Sequence, residues 1–218
     1  EATSRRVLTM EFVDGIPPSE AASDLYPRNL RDQWGVTLFE FTLRGLLEHR
    51  FLHADPNFAN FAFQEDGKVV VYDYGCMKEI PMDIATGYSR LMDAVISKRK
   101  IAIPDLLRNM GVFKEGGAPL PRHMTDPYVD VVQDIVRASP PYTFGEDSSI
   151  YETLYDLGMS NWHNASDIRF PRDMVFIDRT LVGLFGNLSK LRATGPWRRL
   201  LRKFTATSAA GAEDDIDS

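Results

Sequence analysis

Residues 51–77 read FLHADPNFANFAFQEDGKVVVYDYGCM, and the spacing of the polar side chains in this stretch decides the interpretation of the chain. Asp55 is followed by Asn60 after five positions and by Asp73 after thirteen more. Between Asn60 and Asp73 runs an alternating, β-branched segment with Asp66-Gly67 as its turn. This pattern predicts a β-hairpin that starts just after Asn60 and ends just before Asp73.

Two carboxylates and an amide in this order favour phosphoryl transfer. One carboxylate can take or orient the proton of the acceptor, while an amide oxygen and a second carboxylate hold Mg²⁺ against the nucleotide phosphates. We therefore predict that Asp55 is catalytic and that Asn60 and Asp73 are metal ligands. Gly75 is predicted to adopt a positive φ.

The order H-x-D-x-x-x-x-N and then D-[FY]-G resembles the catalytic and metal loops of the protein-kinase-like fold. The motif HADPNFAN is similar to that of the UbiB/AarF family of atypical kinases, although residues 57–59 replace the usual His-Pro-Gly and Tyr74 replaces Phe. The resemblance implies ATP and Mg²⁺ as cofactors. It also implies that His53 is a scaffold that hydrogen-bonds the backbone. It further implies a process linked to isoprenoid-quinone biosynthesis or lipid homeostasis.

The apolar run VLTMEFV at 7–13 predicts a strand that closes at Asp14-Gly15. It resembles the hinge strand of UbiB-like proteins, which carry M-E-x-x-x-G. The resemblance implies that the backbone of Glu11 and Val13 faces an adenine and that Met10 walls the pocket. The alternative is an ordinary edge strand of the core.

Composition is that of a globular protein: 218 residues, 44% hydrophobic, 26% charged and a net charge of −6. The acidic balance argues against nucleic acid as a partner. With one cysteine, Cys76, the chain can form no internal disulfide, and we expect a cytoplasmic location. No apolar run is long enough for a transmembrane helix.

Apolar periodicity predicts that the rest of the chain is helical. Helices are expected over 17–26, from Asn29 to the catalytic loop, from Pro81, over 104–110, around 128–136, over 150–162 and from Pro171 to Leu191. Gly183 and Gly186 inside the last of these predict the close approach of another backbone. The basic segment at 197–204 is expected either to lie on an anionic membrane surface or to pack onto the core. Residues 205–218 are predicted to be a disordered acidic tail.

The predicted fold is mainly α with a small β-hairpin, similar to a protein-kinase-like C-lobe. This lobe spans 1–204, with the hinge strand at 7–13, the catalytic loop at 51–61 and the metal loop at 73–75. The phosphate-binding loop and strand lysine of a kinase do not precede the hinge, so we expect the N-lobe to be absent from this chain and to come from the same protein or a neighbouring chain. Two alternatives stay open: a small-molecule phosphotransferase of the aminoglycoside or choline kinase type, and a non-enzymatic pseudokinase scaffold.

Overall fold

The structure is a computed structural model that describes residues 4–7, 9–137, 139–147, 150, 152–154, 156 and 167–214. Its α-helices are α1 (Pro18–Ala21), α2 (Arg28–Leu43), α3 (Met82–Ile96), α4 (Ile103–Asn109), α5 (Arg122–Ile135), α6 (Arg172–Leu191) and α7 (Trp197–Asp214). Its strands are β1 (Phe51–His53), β2 (Phe61–Phe63), β3 (Val69–Val71), β4 (Met77–Glu79), β5 (Phe113–Lys114) and β6 (Ile168–Arg169). The predicted mainly α fold is confirmed. Most of the helix predicted over 150–162 lies outside the described residues.

Helix α2 is the centre of the core and carries the hairpin. Trp34 is fully buried, and its indole Nε1 donates a hydrogen bond to the Gln64 carbonyl at 2.8 Å. Gly35 lies against Ala193, where a β-carbon on the glycine would come within 2.4 Å of the alanine methyl. The glycine therefore allows the segment after α6 to approach α2 closely. A π-helix, Arg44–Glu48, continues from α2 and delivers the chain to β1.

The predicted hairpin is formed by β2 and β3. The strands are antiparallel, with Phe61 opposite Val71 and Phe63 opposite Val69. Gly67 in the turn has a φ of +87°, a conformation that glycine adopts without steric cost. Two further antiparallel pairs, β1–β4 and β5–β6, were not predicted, because the partners of each pair are far apart in sequence and no short turn joins them.

The hinge strand predicted at 7–13 is wrong over 9–13, and residue 8 lies outside the described residues. Residues 9–15 have no regular secondary structure. A strand needs a neighbour to satisfy its backbone N–H and C=O groups. Among the described residues here, Val7 makes only an isolated bridge to the nearby Ser4, and the next pairing along the chain is that of Ile16 with Phe63. The apolar side chains before it are left in water, as the 60% exposure of Met10 indicates.

Helix α7 continues past the predicted domain boundary at 204. The backbone is helical to Asp214, so the disordered tail predicted at 205–218 is wrong over 205–214; residues 215–218 lie outside the described residues. Thr205 is buried, and its carbonyl accepts a hydrogen bond from the Ser89 hydroxyl at 3.3 Å. The following residues include several alanines, the strongest helix formers, which favours extension of the helix from this anchor.

The first two turns of α7 pack onto the core rather than presenting an apolar face. Trp197, Leu200, Leu201 and Phe204 are each less than a tenth exposed. The apolar face that contact with a membrane surface would require is therefore already occupied. Within the described part of the chain, no helix is long and apolar enough to cross a membrane.

The buried Tyr88 of α3 and the half-buried Asp178 of α6 form a pair that links the two helices. The Tyr88 hydroxyl donates to Asp178 Oδ1 at 2.6 Å. Burial raises the pKa of Asp178 to about 6, and the hydrogen bond from Tyr88 only partly opposes this effect. Burial also raises the pKa of Tyr88, so its hydroxyl remains a donor at neutral pH. Near neutral pH the pair thus contains a carboxylate that is ionised at a cost.

We predict that Asp178→Asn stabilises the protein near neutral pH. Because the native pKa of about 6 lies above the ordinary value of 3.8, the folded state binds the proton more tightly, and this group's contribution to the free energy of unfolding falls as pH rises through that interval. Asparagine keeps an acceptor for Tyr88 but carries no charge. The gain should be about 1 to 3 kcal/mol near neutral pH.

Thermal denaturation of both proteins as a function of pH measures this difference, which should disappear once Asp178 is protonated in both states. Asp105→Asn, at an exposed position of α4, removes the same formal charge and is the matched control. Lower stability of Asp178→Asn at neutral pH, with an unaffected control, would contradict the prediction.

Candidate active site

His53 is the buried anchor between the two halves of the 51–77 stretch. Its Nε2–H donates to the Asp73 carbonyl at 2.5 Å. The imidazole is enclosed by aromatic rings, with the centroids of Phe41 and Phe61 at 6.0 and 5.9 Å. The prediction of His53 as a scaffold that bonds the backbone is confirmed. The bond fixes the start of the metal loop against the start of the catalytic loop.

Asp55 and Asn60 are brought together at the end of the loop that follows β1. Asn60 Nδ2 donates to Asp55 Oδ2 at 2.7 Å, and both residues are half-buried. An ionised carboxylate can only accept, so the amide must turn its NH₂ group towards Asp55. The Asn60 amide oxygen is then free to face another ligand. Asp55 Oδ1 receives only a 3.3 Å bond from the amide of Asn57.

Residues 57–59, where the sequence departs from the family motif, form a compact turn. The Asn57 side chain accepts a hydrogen bond from the amide of Ala59 at 3.1 Å, which caps the 3₁₀ turn Phe58–Asn60. Phe58 is buried, with its ring 5.5 Å from that of Phe63. The altered residues therefore support the position of Asn60.

Asp73 lies beside Asn60, as the hairpin prediction required. Tyr72, its neighbour, donates its amide to the Asn60 carbonyl at 2.9 Å. Asp73 is exposed; its Oδ1 accepts from the amide of Gly75 at 2.7 Å, and Oδ2 has no hydrogen bond among the described residues. The positive φ predicted for Gly75 is wrong. Its amide instead orients the Asp73 carboxylate.

One face of α6 holds the backbone on both sides of Asp55. The Arg179 guanidinium donates to the carbonyl that precedes Asp55, and Asn187 Nδ2 donates to the Pro56 carbonyl at 2.9 Å. Between them, Gly183 leaves room for Pro56, since a β-carbon there would come within 2.3 Å of the proline ring.

These three helix residues are spaced four apart, so they form a single stripe that faces the loop. A close approach is present at Gly183 as predicted, but the nearest atoms belong to the Pro56 ring rather than to a backbone. The close approach at Gly186 stays a prediction. Sequence reasoning missed Arg179 and Asn187, because their partners lie more than a hundred residues away along the chain. The sequence does hold a signal for them, because each lies four positions from Gly183 in a predicted helix.

The donor set fits a hard cation. Asp73 offers a free carboxylate oxygen and Asn60 a free amide oxygen, the ligand types that Mg²⁺ takes together with water and phosphate oxygens. No group of three His, Cys, Asp or Glu side chains in the described chain forms a metal cage. A cation here would therefore depend on ligands from a bound nucleotide, as it does in phosphoryl-transfer sites.

The three residues predicted to contact an adenine differ in their relation to this site. The Val13 carbonyl accepts a hydrogen bond from the Tyr72 hydroxyl at 3.1 Å, which joins the 9–15 segment to the residue before Asp73. Met10 and Glu11 are exposed. Their role towards an adenine remains a prediction.

Comparison with known proteins agrees with the motifs. Residues 1–106 match the family model described as ABC1 atypical kinase-like domain. The match covers just under half of the chain. The resemblance to the UbiB/AarF atypical kinases is thereby confirmed, and the match includes the catalytic loop, the hairpin and the metal loop.

Two curated relatives extend the ABC1 comparison. The mitochondrial atypical kinase COQ8B of Danio rerio is 33% identical over 95 residues, which cover 43% of this chain and 15% of the relative. The mitochondrial atypical kinase coq-8 of Caenorhabditis elegans is 24% identical over 225 residues, covering 100% of this chain and 29% of the relative. The chain thus spans less than a third of the length of either relative.

A solved structure shares the fold. The Rv3197–erythromycin complex from Mycobacterium tuberculosis superposes with a TM-score of 0.68 at 17% identity, over 87% of this chain and 47% of that one. Together with the ABC1 match, this similarity supports a kinase-like fold. The assignment of the chain to a C-lobe remains a prediction.

We predict that Gly183→Ala destabilises the protein by about 1 to 3 kcal/mol, because the added methyl meets Pro56. In an unconstrained helix the same change should stabilise by roughly 1 kcal/mol, so the sign is diagnostic. Urea denaturation measures the effect. Amide hydrogen exchange at Ala54, Asp55 and Asn57 should also accelerate, since the loop loses its support.

The matched control is the same substitution in a Pro56→Gly background, where the ring that the methyl meets is gone. The penalty of Gly183→Ala should be smaller there, which a double-mutant cycle isolates as a coupling energy. A stabilising Gly183→Ala in the wild-type background, or a zero coupling energy, would show that α6 does not support the loop through this contact.

Proposed function

We propose that the chain carries the catalytic aspartate and the magnesium ligands of an ABC1-type atypical kinase or ATPase that uses Mg-ATP. Asp55 takes or orients the proton of the phosphoryl acceptor, and Asn60 and Asp73 hold Mg²⁺. The observation that carries the proposal is the 2.7 Å bond from Asn60 Nδ2 to Asp55 Oδ2. It orients both side chains and leaves one oxygen of each available.

The division of tasks follows from the free oxygens. Asp55 Oδ1, with only a long bond from a backbone amide, can accept the proton of a hydroxyl or a water. The Asn60 amide oxygen and Asp73 Oδ2 supply the protein ligands for the cation. When bound, Mg²⁺ neutralises charge on the phosphates. Because His53 and the α6 stripe hold the backbone at both loops, these oxygens need little reorganisation to act.

The remaining parts of the site belong to the same proposal. An N-lobe, from the same or a neighbouring chain, would supply the phosphate-covering loop and its lysine. The backbone of Glu11 and Val13, with the side chain of Met10, would contact the adenine. Family resemblance makes isoprenoid-quinone or lipid metabolism the process we propose, in a cytoplasmic protein or one peripheral to a membrane.

We predict that Asp73→Asn weakens Mg-ATP binding roughly tenfold or more, because a hard cation prefers a charged oxygen ligand. Stability without metal should be unchanged or higher, since asparagine can still accept from the Gly75 amide. Calorimetric titration of Mg-ATP into the natural protein that contains this chain measures the affinity. Thermal denaturation without metal measures the stability.

Asp66→Asn is the matched control, because it removes the same charge at the far turn of the same hairpin. It should leave Mg-ATP affinity at the wild-type value. Equal affinity and equal ATP turnover in the wild type and Asp73→Asn would remove Asp73 from the metal site. Tight Mg-ATP binding with no turnover of any acceptor or water would favour the scaffold alternative, and turnover of amino-alcohol acceptors would favour the small-molecule phosphotransferase.

A further inference from the structure

A cavity of about 470 Å³ lies between α3, α5 and α6, away from the candidate active site. Its volume is within the range of sites that hold small organic ligands. Aliphatic and aromatic side chains form nearly all of its wall, among them Leu91, Val95, Val132, Ile135, Leu181 and Phe185. None of Asp55, Asn60 and Asp73 lines it, so a ligand here would not occupy the proposed nucleotide site.

Asp178 is the one ionisable carboxylate among the described residues of this wall. Its Oδ1 accepts from the Tyr88 hydroxyl, whereas Oδ2 makes no hydrogen bond with any residue that the structure describes. The side chain keeps some accessible surface because the cavity lies against it, although protein surrounds it. An apolar chamber with one under-bonded carboxylate is an unfavourable arrangement when it contains nothing that donates to that oxygen.

The chemistry of the wall selects the ligand. An apolar tail gains free energy by leaving water for the aliphatic lining. A protonated amine can donate a charge-assisted hydrogen bond to Asp178 Oδ2 and neutralise its charge. An alcohol supplies the donor without the charge, and a fatty acid brings a second negative charge beside the first.

We propose that this cavity binds a small amphipathic amine, with its apolar tail between α3, α5 and α6 and its ammonium group on Asp178. The proposal is independent of the phosphoryl-transfer function. It assigns the unused oxygen of the Tyr88–Asp178 pair a partner that the described residues do not provide.

Three probes with the same eight-carbon tail test the proposal: octylamine, 1-octanol and octanoate. Calorimetric titration into the wild-type protein near neutral pH should give roughly tenfold tighter binding of octylamine than of 1-octanol, and the weakest binding of octanoate. In Asp178→Asn, octylamine should lose its advantage over 1-octanol. Asp105→Asn, which changes an exposed carboxylate outside the cavity, should keep the wild-type order.

A second variant locates the binding without touching the carboxylate. Val132→Phe places a larger side chain in the wall and should weaken all three probes together. The proposal is overturned if wild-type protein binds octylamine no more tightly than 1-octanol, or binds none of the probes. It is also overturned if Asp178→Asn keeps the preference for the amine, or if Val132→Phe leaves octylamine affinity unchanged.

Discussion

The hydrogen bond from the buried His53 ring to the Asp73 carbonyl is the constraint on which the site depends. Catalytic and metal loops are separated by a hairpin, and without a direct tie each could move with its own strand. An imidazole enclosed by aromatic rings has few alternative partners, so losing this bond would leave a buried donor unpaired. The bond therefore fixes the two loops as one unit, in which Asn60 and Asp73 can serve the same cation.

Helix α6 supplies the second constraint, from the opposite side. Arg179 and Asn187 satisfy the carbonyls around Asp55, and Gly183 lets the loop lie directly on the helix. Loops rarely hold catalytic groups well unless a rigid element supports them. Here the support comes from a segment far along the chain, which makes the long C-terminal helices part of the site rather than an appendage. The same helix carries Asp178, so it faces both the loop and the apolar cavity.

Sequence sufficed where spacing and chemistry agreed. The Asp55–Asn60–Asp73 order, the turn at Gly67 and the helical periodicity each constrained the answer locally, and the structure brings the three polar residues to one end of the hairpin as predicted.

Sequence reasoning failed where the outcome depended on a partner elsewhere in the chain. The run at 7–13 has strand propensity, but the described chain offers it no neighbouring strand. Helix α7 extends beyond 204 because Thr205 is anchored by Ser89, a contact that no local pattern reveals. Of the α6 stripe, the sequence indicated only Gly183, because a glycine inside a helix is destabilising and needs a structural reason.

The central claim is that Asn60 and Asp73 present oxygens to one nucleotide-bound cation. Paramagnetic relaxation in NMR tests it most directly, with Mn²⁺ in place of Mg²⁺ in the ATP complex. The account predicts strong broadening of the amide signals of Asp55, 57–60 and 73–75, and sharp signals at Gly67 in the far turn of the same hairpin. Broadening centred elsewhere in the protein, with sharp signals at Asn60 and Asp73, would contradict it.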